Sequence, residues 1–137
     1  MDPLDFLEVA KRYSDSKLES ERRTSIGRSY YALFNQVALR VSNFAPLPGD
    51  VDDHRAVTAY LLNARVPALL EVGRKLKDLR VTRNDADYRM QLQIDGRKSE
   101  LALLRAEDAI QKFGTVNDPL LKAALQAQPT YRRPSGT

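Results

Sequence analysis

The sequence predicts an all-α fold, an up-and-down helical bundle of roughly four to six helices. Three observations carry that expectation. Apolar residues recur at spacings of three and four along most of the chain. Short stretches rich in Pro, Gly, Ser, Asn and Asp separate the periodic segments. No strand-rich region, internal repeat or low-complexity block lies between them.

A first helix is expected over about Leu4–Tyr13. Leu4, Leu7 and Lys11 share one side, and Phe6, Val9, Ala10 and Tyr13 add apolar surface. Pro3 suits a first helical turn with Asp2 as its cap, and Ser14-Asp15-Ser16 reads as a break. The clearest helix spans about Leu18–Asn43. Ile26, Tyr30, Phe34, Val37 and Val41 follow helical spacing, and Leu33 and Leu39 widen the stripe. Pro46, Pro48 and Gly49 end it. Asp50, Asp52 and Asp53 open a third helix to about Asn63, because carboxylates satisfy free N–H groups and match the helix dipole there. Val57, Tyr60, Leu61 and Ala64 are its expected buried side.

Pro67 starts a fourth helix carrying Leu69, Val72, Leu76 and Leu79. Met90–Gly96 is expected to be a loop. A short extended piece is the alternative, because Leu92 and Ile94 alternate with Gln91, Gln93 and Asp95. A fifth helix over about Lys98–Phe113 is expected to bury Leu101, Leu104, Ala109 and Phe113 and to stop at Gly114. Asp118-Pro119 begins a last short helix through Leu125. The chain is thus read as one helical domain over residues 1–126 with a flexible tail at 127–137.

At 137 residues the chain fits one domain with a real core. The absence of cysteine excludes disulfides and thiolate metal sites. One histidine and no suitable carboxylate spacing leave no metal site to expect, and no cofactor motif is present. No apolar run approaches the roughly 18 residues of a membrane span, and the acidic N-terminus lacks a signal-peptide pattern. A cytosolic protein with no membrane association is therefore expected. Lys and Arg outnumber Asp and Glu by 22 to 18, an excess that permits a phosphate-bearing partner without demanding one. Most of the cations are arginine, which suits bidentate contact to phosphate or carboxylate.

Polar residues interrupt the apolar stripes at two places. On the fourth helix, Arg83 falls where the series Leu69, Val72, Leu76, Leu79 calls for a core residue. A guanidinium there is costly unless paired, and Asp87 lies one turn later. Two readings are open. Arg83 and Asp87 could form a bridge that fixes registry, with Tyr88 packed over it. Alternatively, the polar run from Arg80 to Tyr88 could line a groove that contacts phosphate. On the second helix, Arg28, Tyr31 and Asn35 form a strip beside the main stripe. It is either a solvated flank or, if it faces Arg83, the other wall of a basic, aromatic-edged groove.

The run Arg28-Ser29-Tyr30-Tyr31-Ala32-Leu33-Phe34-Asn35 resembles the second-helix signature of the HEPN family. The run from Leu79 to Tyr88 resembles the later signature of that family, ending in Ala-Asp-Tyr, and His54 opens the helix between them. The resemblance covers about Leu4–Phe113. It implies a helical bundle that often dimerises. Many HEPN proteins are metal-independent ribonucleases of toxin–antitoxin, phage-defence or RNA-processing systems, and others are non-catalytic binding modules. The nuclease members carry an Arg, often a polar residue after it, and a His four to six residues beyond the Arg. Arg83-Asn84 matches the start of that pattern, but Tyr88 stands in the His position. A phenol ionises near pH 10, so it is a poor base at neutral pH, although it can donate a hydrogen bond to phosphate.

The implied site is Arg83, Asn84 and Tyr88, with His54 as a stand-in base if folding brings it close and as a simple helix-start residue if not. Asp87 would orient Arg83, and Arg28, Tyr31, Asn35 and Arg80 would contact RNA or phosphate. The resemblance thus implies an RNA-engaging toxin or defence protein, a metal-independent endoribonuclease if active. Its expected partners are RNA, a second copy in a homodimer, and an antitoxin or defence-complex protein. The alternative is a non-catalytic module that binds a partner such as a nucleotidyltransferase-like antitoxin. A third expectation is that an exposed tyrosine such as Tyr88 accepts a covalent modification.

Overall fold

A computed structural model of the chain describes residues 1–134, and these form an all-helical bundle. The helices are α1 (Asp5–Tyr13), α2 (Glu19–Val41), α3 (Asp53–Leu62), α4 (Pro67–Tyr88), α5 (Gly96–Gly114) and α6 (Asp118–Gln126). No strand occurs among the described residues. None of their helices is long and apolar enough to cross a membrane. Residues 135–137, the end of the expected flexible tail, lie outside the described residues.

The central element is α2, which packs against α1, α3, α4 and α5. Its middle is buried around most of its circumference, by Ile26, Tyr30, Leu33, Phe34 and Val37 on the broad side and by the small Ser25, Gly27, Ser29 and Ala32 elsewhere. Small residues let neighbouring helices approach closely, so α2 can be surrounded. Each fully buried Leu, Val or Phe contributes about 1.5–3 kcal/mol of transfer free energy. The α4 stripe of Leu69, Val72, Leu76 and Leu79 is buried as its spacing requires. Where α4 crosses α3, Gly73 leaves no room for more: an added Cβ would lie 3.0 Å from Leu61 Cβ.

Two apolar expectations are corrected. Leu39 is 62% exposed, because two residues along a helix turn the side chain about 200°, away from Val37 and Val41. On α5 the buried series is Ala102, Ala106, Ala109 and Phe113, with Leu103 beside it. Leu101 and Leu104 fall on its shoulders, 40% and 57% exposed. The alanine series brings α5 close to its neighbours, and the two larger leucines are left outside.

Local polar chemistry sets the helix starts. Asp95 accepts from the Lys98 N–H and Asn117 from the Leu120 N–H, each at 2.9 Å. The acidic run before α3 works one turn earlier than expected. Asp50 accepts from the Asp52 N–H and Asp53 from the Gly49 N–H, and Gly49 takes the left-handed φ of 82° that the turn needs. The segment Met90–Asp95 is irregular, as a loop. Beyond α6, Gln128 donates to the Tyr60 carbonyl and the Tyr131 N–H to the Tyr60 hydroxyl, both at 2.9 Å. Arg133 then pairs with Asp50 and, at 2.6 Å, with Asp52.

Candidate functional site

Two strips that the sequence places on separate helices meet between α2 and α4. The guanidinium of Arg83 lies over the Tyr31 ring, with Cζ 5.1 Å from the centroid, and its other neighbour is the Tyr88 ring at 5.8 Å. Its Nη1 donates to Asn84 Oδ1 at 3.1 Å. Its Nε is 2.9 Å from Asp87 Oδ2, yet the N–H is not aimed at that oxygen, so the ion pair forms without a directed hydrogen bond. The pairing of Arg83 with Asp87 and the groove between the helices therefore occur together. Tyr88 is 71% exposed and covers the arginine only from the solvent side.

Arg28 approaches Tyr31 from α2, with Cζ 5.9 Å from that centroid and 5.1 Å from the Phe6 ring of α1. Phe6, Gly27, Arg28, Tyr31, Arg83 and Asp87 line an open cleft of about 530 Å³. Arg28 and Arg80 make no ion pair among the described residues. Asn35 is half-buried one turn beyond Tyr31 and does not line this cleft. A larger concavity, about 600 Å³, lies between α3 and residues 127–131. Arg65 is its one cation, and much of its wall is alanine, so it lacks convergent chemistry.

His54 leaves the first turn of α3 and enters the α2 side of the site. Its ring stacks on Phe34, centroids 4.1 Å apart at 14°, and on Tyr30 at 5.6 Å and 15°. The Tyr30 hydroxyl is 2.5 Å from Nδ1. Tyr31 meets the imidazole edge-on at 6.1 Å, so His54 and Arg83 contact the same tyrosine ring. Burial, and then the charges of Arg80 and Arg83, hold the imidazole below its ordinary value of 6.5, with Asp53 opposing in part. Burial pushes the Tyr30 phenol up, well beyond its ordinary value, so it stays protonated.

Folding therefore brings Arg83, Asn84, Asp87, Tyr88, Arg28, Tyr31, Arg80 and His54 into one region. Sequence reasoning missed three contributors. Tyr30 sits on the apolar stripe and reads as core, although its hydroxyl holds His54. Phe6 reads as generic apolar surface of α1. Arg23 lies outside both polar strips of the sequence, yet it donates to the carbonyls of Ala86 at 2.8 Å, Arg89 at 3.2 Å and Leu92 at 2.5 Å. It therefore caps the C-terminal end of α4 just past Arg83. Glu19 completes this latch, pairing with Arg23 at 3.1 Å and accepting from the Ile94 N–H at 3.0 Å.

No protein-family model matches this chain, and no curated protein and no solved structure is detectably similar to it.

Proposed function

We propose that the chain is an RNA-engaging protein of the HEPN type, of the toxin–antitoxin or phage-defence kind. The observation that carries this reading is the placement of Arg28 and Arg83 against the Tyr31 ring, with the charge of Arg80 felt at the adjoining His54 and, among the described residues, only Arg83 of the three paired with a carboxylate. Arginines held against aromatic faces keep their N–H edges directed at a ligand, and a phosphodiester accepts from two of them at once. The aromatic rings supply the π-faces that unpaired bases stack on. The exposed ring of Tyr88, beside Arg83, is the best placed for that.

The test is binding of a labelled single-stranded oligoribonucleotide across a salt series. Binding is expected to weaken steeply with salt, by about 0.7 in log–log slope per phosphate contacted. Arg83→Ala and Arg28→Ala are each expected to lower that slope by roughly one contact. Absent or salt-indifferent binding would remove the RNA reading.

A second reading has its own support. Val81 on α4 and Leu101 and Leu104 on α5 are 58%, 40% and 57% exposed on neighbouring helices. These exposed apolar side chains suit a non-catalytic module that holds a partner protein, for example a nucleotidyltransferase-like antitoxin, and Tyr88 in place of His agrees with it. Leu104→Glu is expected to abolish partner capture under this reading and to leave RNA binding unchanged under the first.

A further inference from the structure

We propose that the hollow between the end of α4, the segment 89–95 and α5 is the anchor pocket of a docking face, and that its occupant is an acidic peptide segment of a partner protein carrying one large apolar side chain. The proposal rests on the partner-holding reading above, gives it a place and a ligand chemistry, and does not depend on RNA. Leu92, Ile94, Leu101 and Ala102 make the apolar wall of the hollow. Its volume is about 190 Å³, below the roughly 300 Å³ at which sites for small molecules begin. A single bulky side chain of a peptide is the size of occupant that remains. Val81 lies one turn before the lining Asp85, and Leu104 one turn beyond Leu101, so both flank the hollow. Each is more than half exposed, which leaves apolar surface around the pocket for the rest of the segment to cover.

The pocket exists before any partner arrives. Its irregular wall is tied down from α2: Arg22 Nε donates to the Ile94 carbonyl at 2.7 Å, the Ile94 N–H to Glu19 at 3.0 Å, and Arg23 to the Leu92 carbonyl at 2.5 Å. A preformed pocket spares the ordering cost that weakens binding. The charge around it selects the segment. Lys98 and Arg105 both line the hollow from α5, with Leu101 between them. Their seven-residue separation spans about 10 Å of helix, so the two cations flank the apolar centre. Lys98 donates to the Gln93 carbonyl at 2.9 Å, and neither cation is ion-paired among the described residues. The one carboxylate of the lining, Asp85, is already paired with Arg89 at 3.3 Å. A segment with a carboxylate on each side of its apolar anchor therefore complements the pocket, and a basic segment is repelled.

The probe is a displayed library of random short peptides, selected against the full chain and mapped by amide chemical shifts. Enriched peptides are expected to carry one Leu, Ile, Met or Phe flanked by Asp or Glu, and to shift the amides of Leu92, Ile94 and Leu101. Lys98→Glu and Arg105→Glu should each weaken them by about 10-fold or more, and Arg28→Ala should leave them unchanged. Lys98→Gln and Arg105→Gln, which should lose part of the affinity, replace any reversal that fails to fold. Enriched peptides that are basic, or that map to another face, would overturn the proposal while leaving a partner-holding module in place. No enrichment at all would overturn both. Sedimentation of the chain alone and titration with an oligoribonucleotide test the other occupants. Self-association abolished by Arg105→Glu would make the occupant a second copy, and RNA-induced shifts centred on Lys98 and Arg105 would make it RNA. Either result would overturn the proposal.

Discussion

Arg83 stands between two rings and beside a carboxylate that does not hydrogen-bond to its Nε–H. Asp87 therefore opposes the guanidinium charge without using up all its donors. Asp87→Asn should tighten RNA binding several-fold, because the cleft loses its one opposing charge beside Arg83. Stability should fall by only about 0.3–0.5 kcal/mol, the usual worth of a helix ion pair one turn apart. Anisotropy and thermal melts on the same preparation check both directions. The position of Arg83 was legible in the sequence because it interrupts a stripe. The use of Tyr30 was not, because a buried aromatic on a stripe has the same periodicity whether or not its hydroxyl has a partner.

His54 also sets a pH dependence. Its folded value lies below its unfolded value of 6.5, so the unfolded chain binds more protons in the window between them. The stabilisation is full above pH 6.5 and is lost as pH falls through the folded value. The melting temperature of the wild type should drop across that window more steeply than that of His54→Gln. Equal slopes would show that the histidine is not responsible. No periodicity in α3 reveals this, because the shift comes first from burial, with aromatic rings of α2 against the imidazole, and then from the arginines of α4.

The helices themselves were readable, since each apolar stripe is a local property of the chain. On α5 the expected burial of Ala109 and Phe113 holds, but Leu101 and Leu104 were read as core where Ala102 and Ala106 lie, because leucine outranks alanine in apolar weight while alanine permits the closer packing. What the stripes could not show was how helix ends are held. Arg23 gathers carbonyls at the exit of α4, and its role depends on a loop more than 60 residues away. Arg23→Ala should cost about 1.5–3 kcal/mol, the range for hydrogen bonds made by a charged group. It should also raise amide exchange over residues 86–94 before the rest of α4 is affected. Arg23→Lys should recover part of the loss, since an ammonium reaches fewer carbonyls.

Over the whole molecule, a central α2 makes the bundle a set of walls around one helix. The order of helices was legible, but the identity of the central one was not. It follows from small residues on the flanks of α2, which a stripe analysis discards. One consequence lies far from the cleft. Residues 128–133 run back to Tyr60, and Arg133 clasps the two aspartates ahead of α3. That end of the chain thus works as a drawstring on the turn that launches His54. Trimming it after Ala127 should slacken residues 49–54, visible as faster amide exchange there.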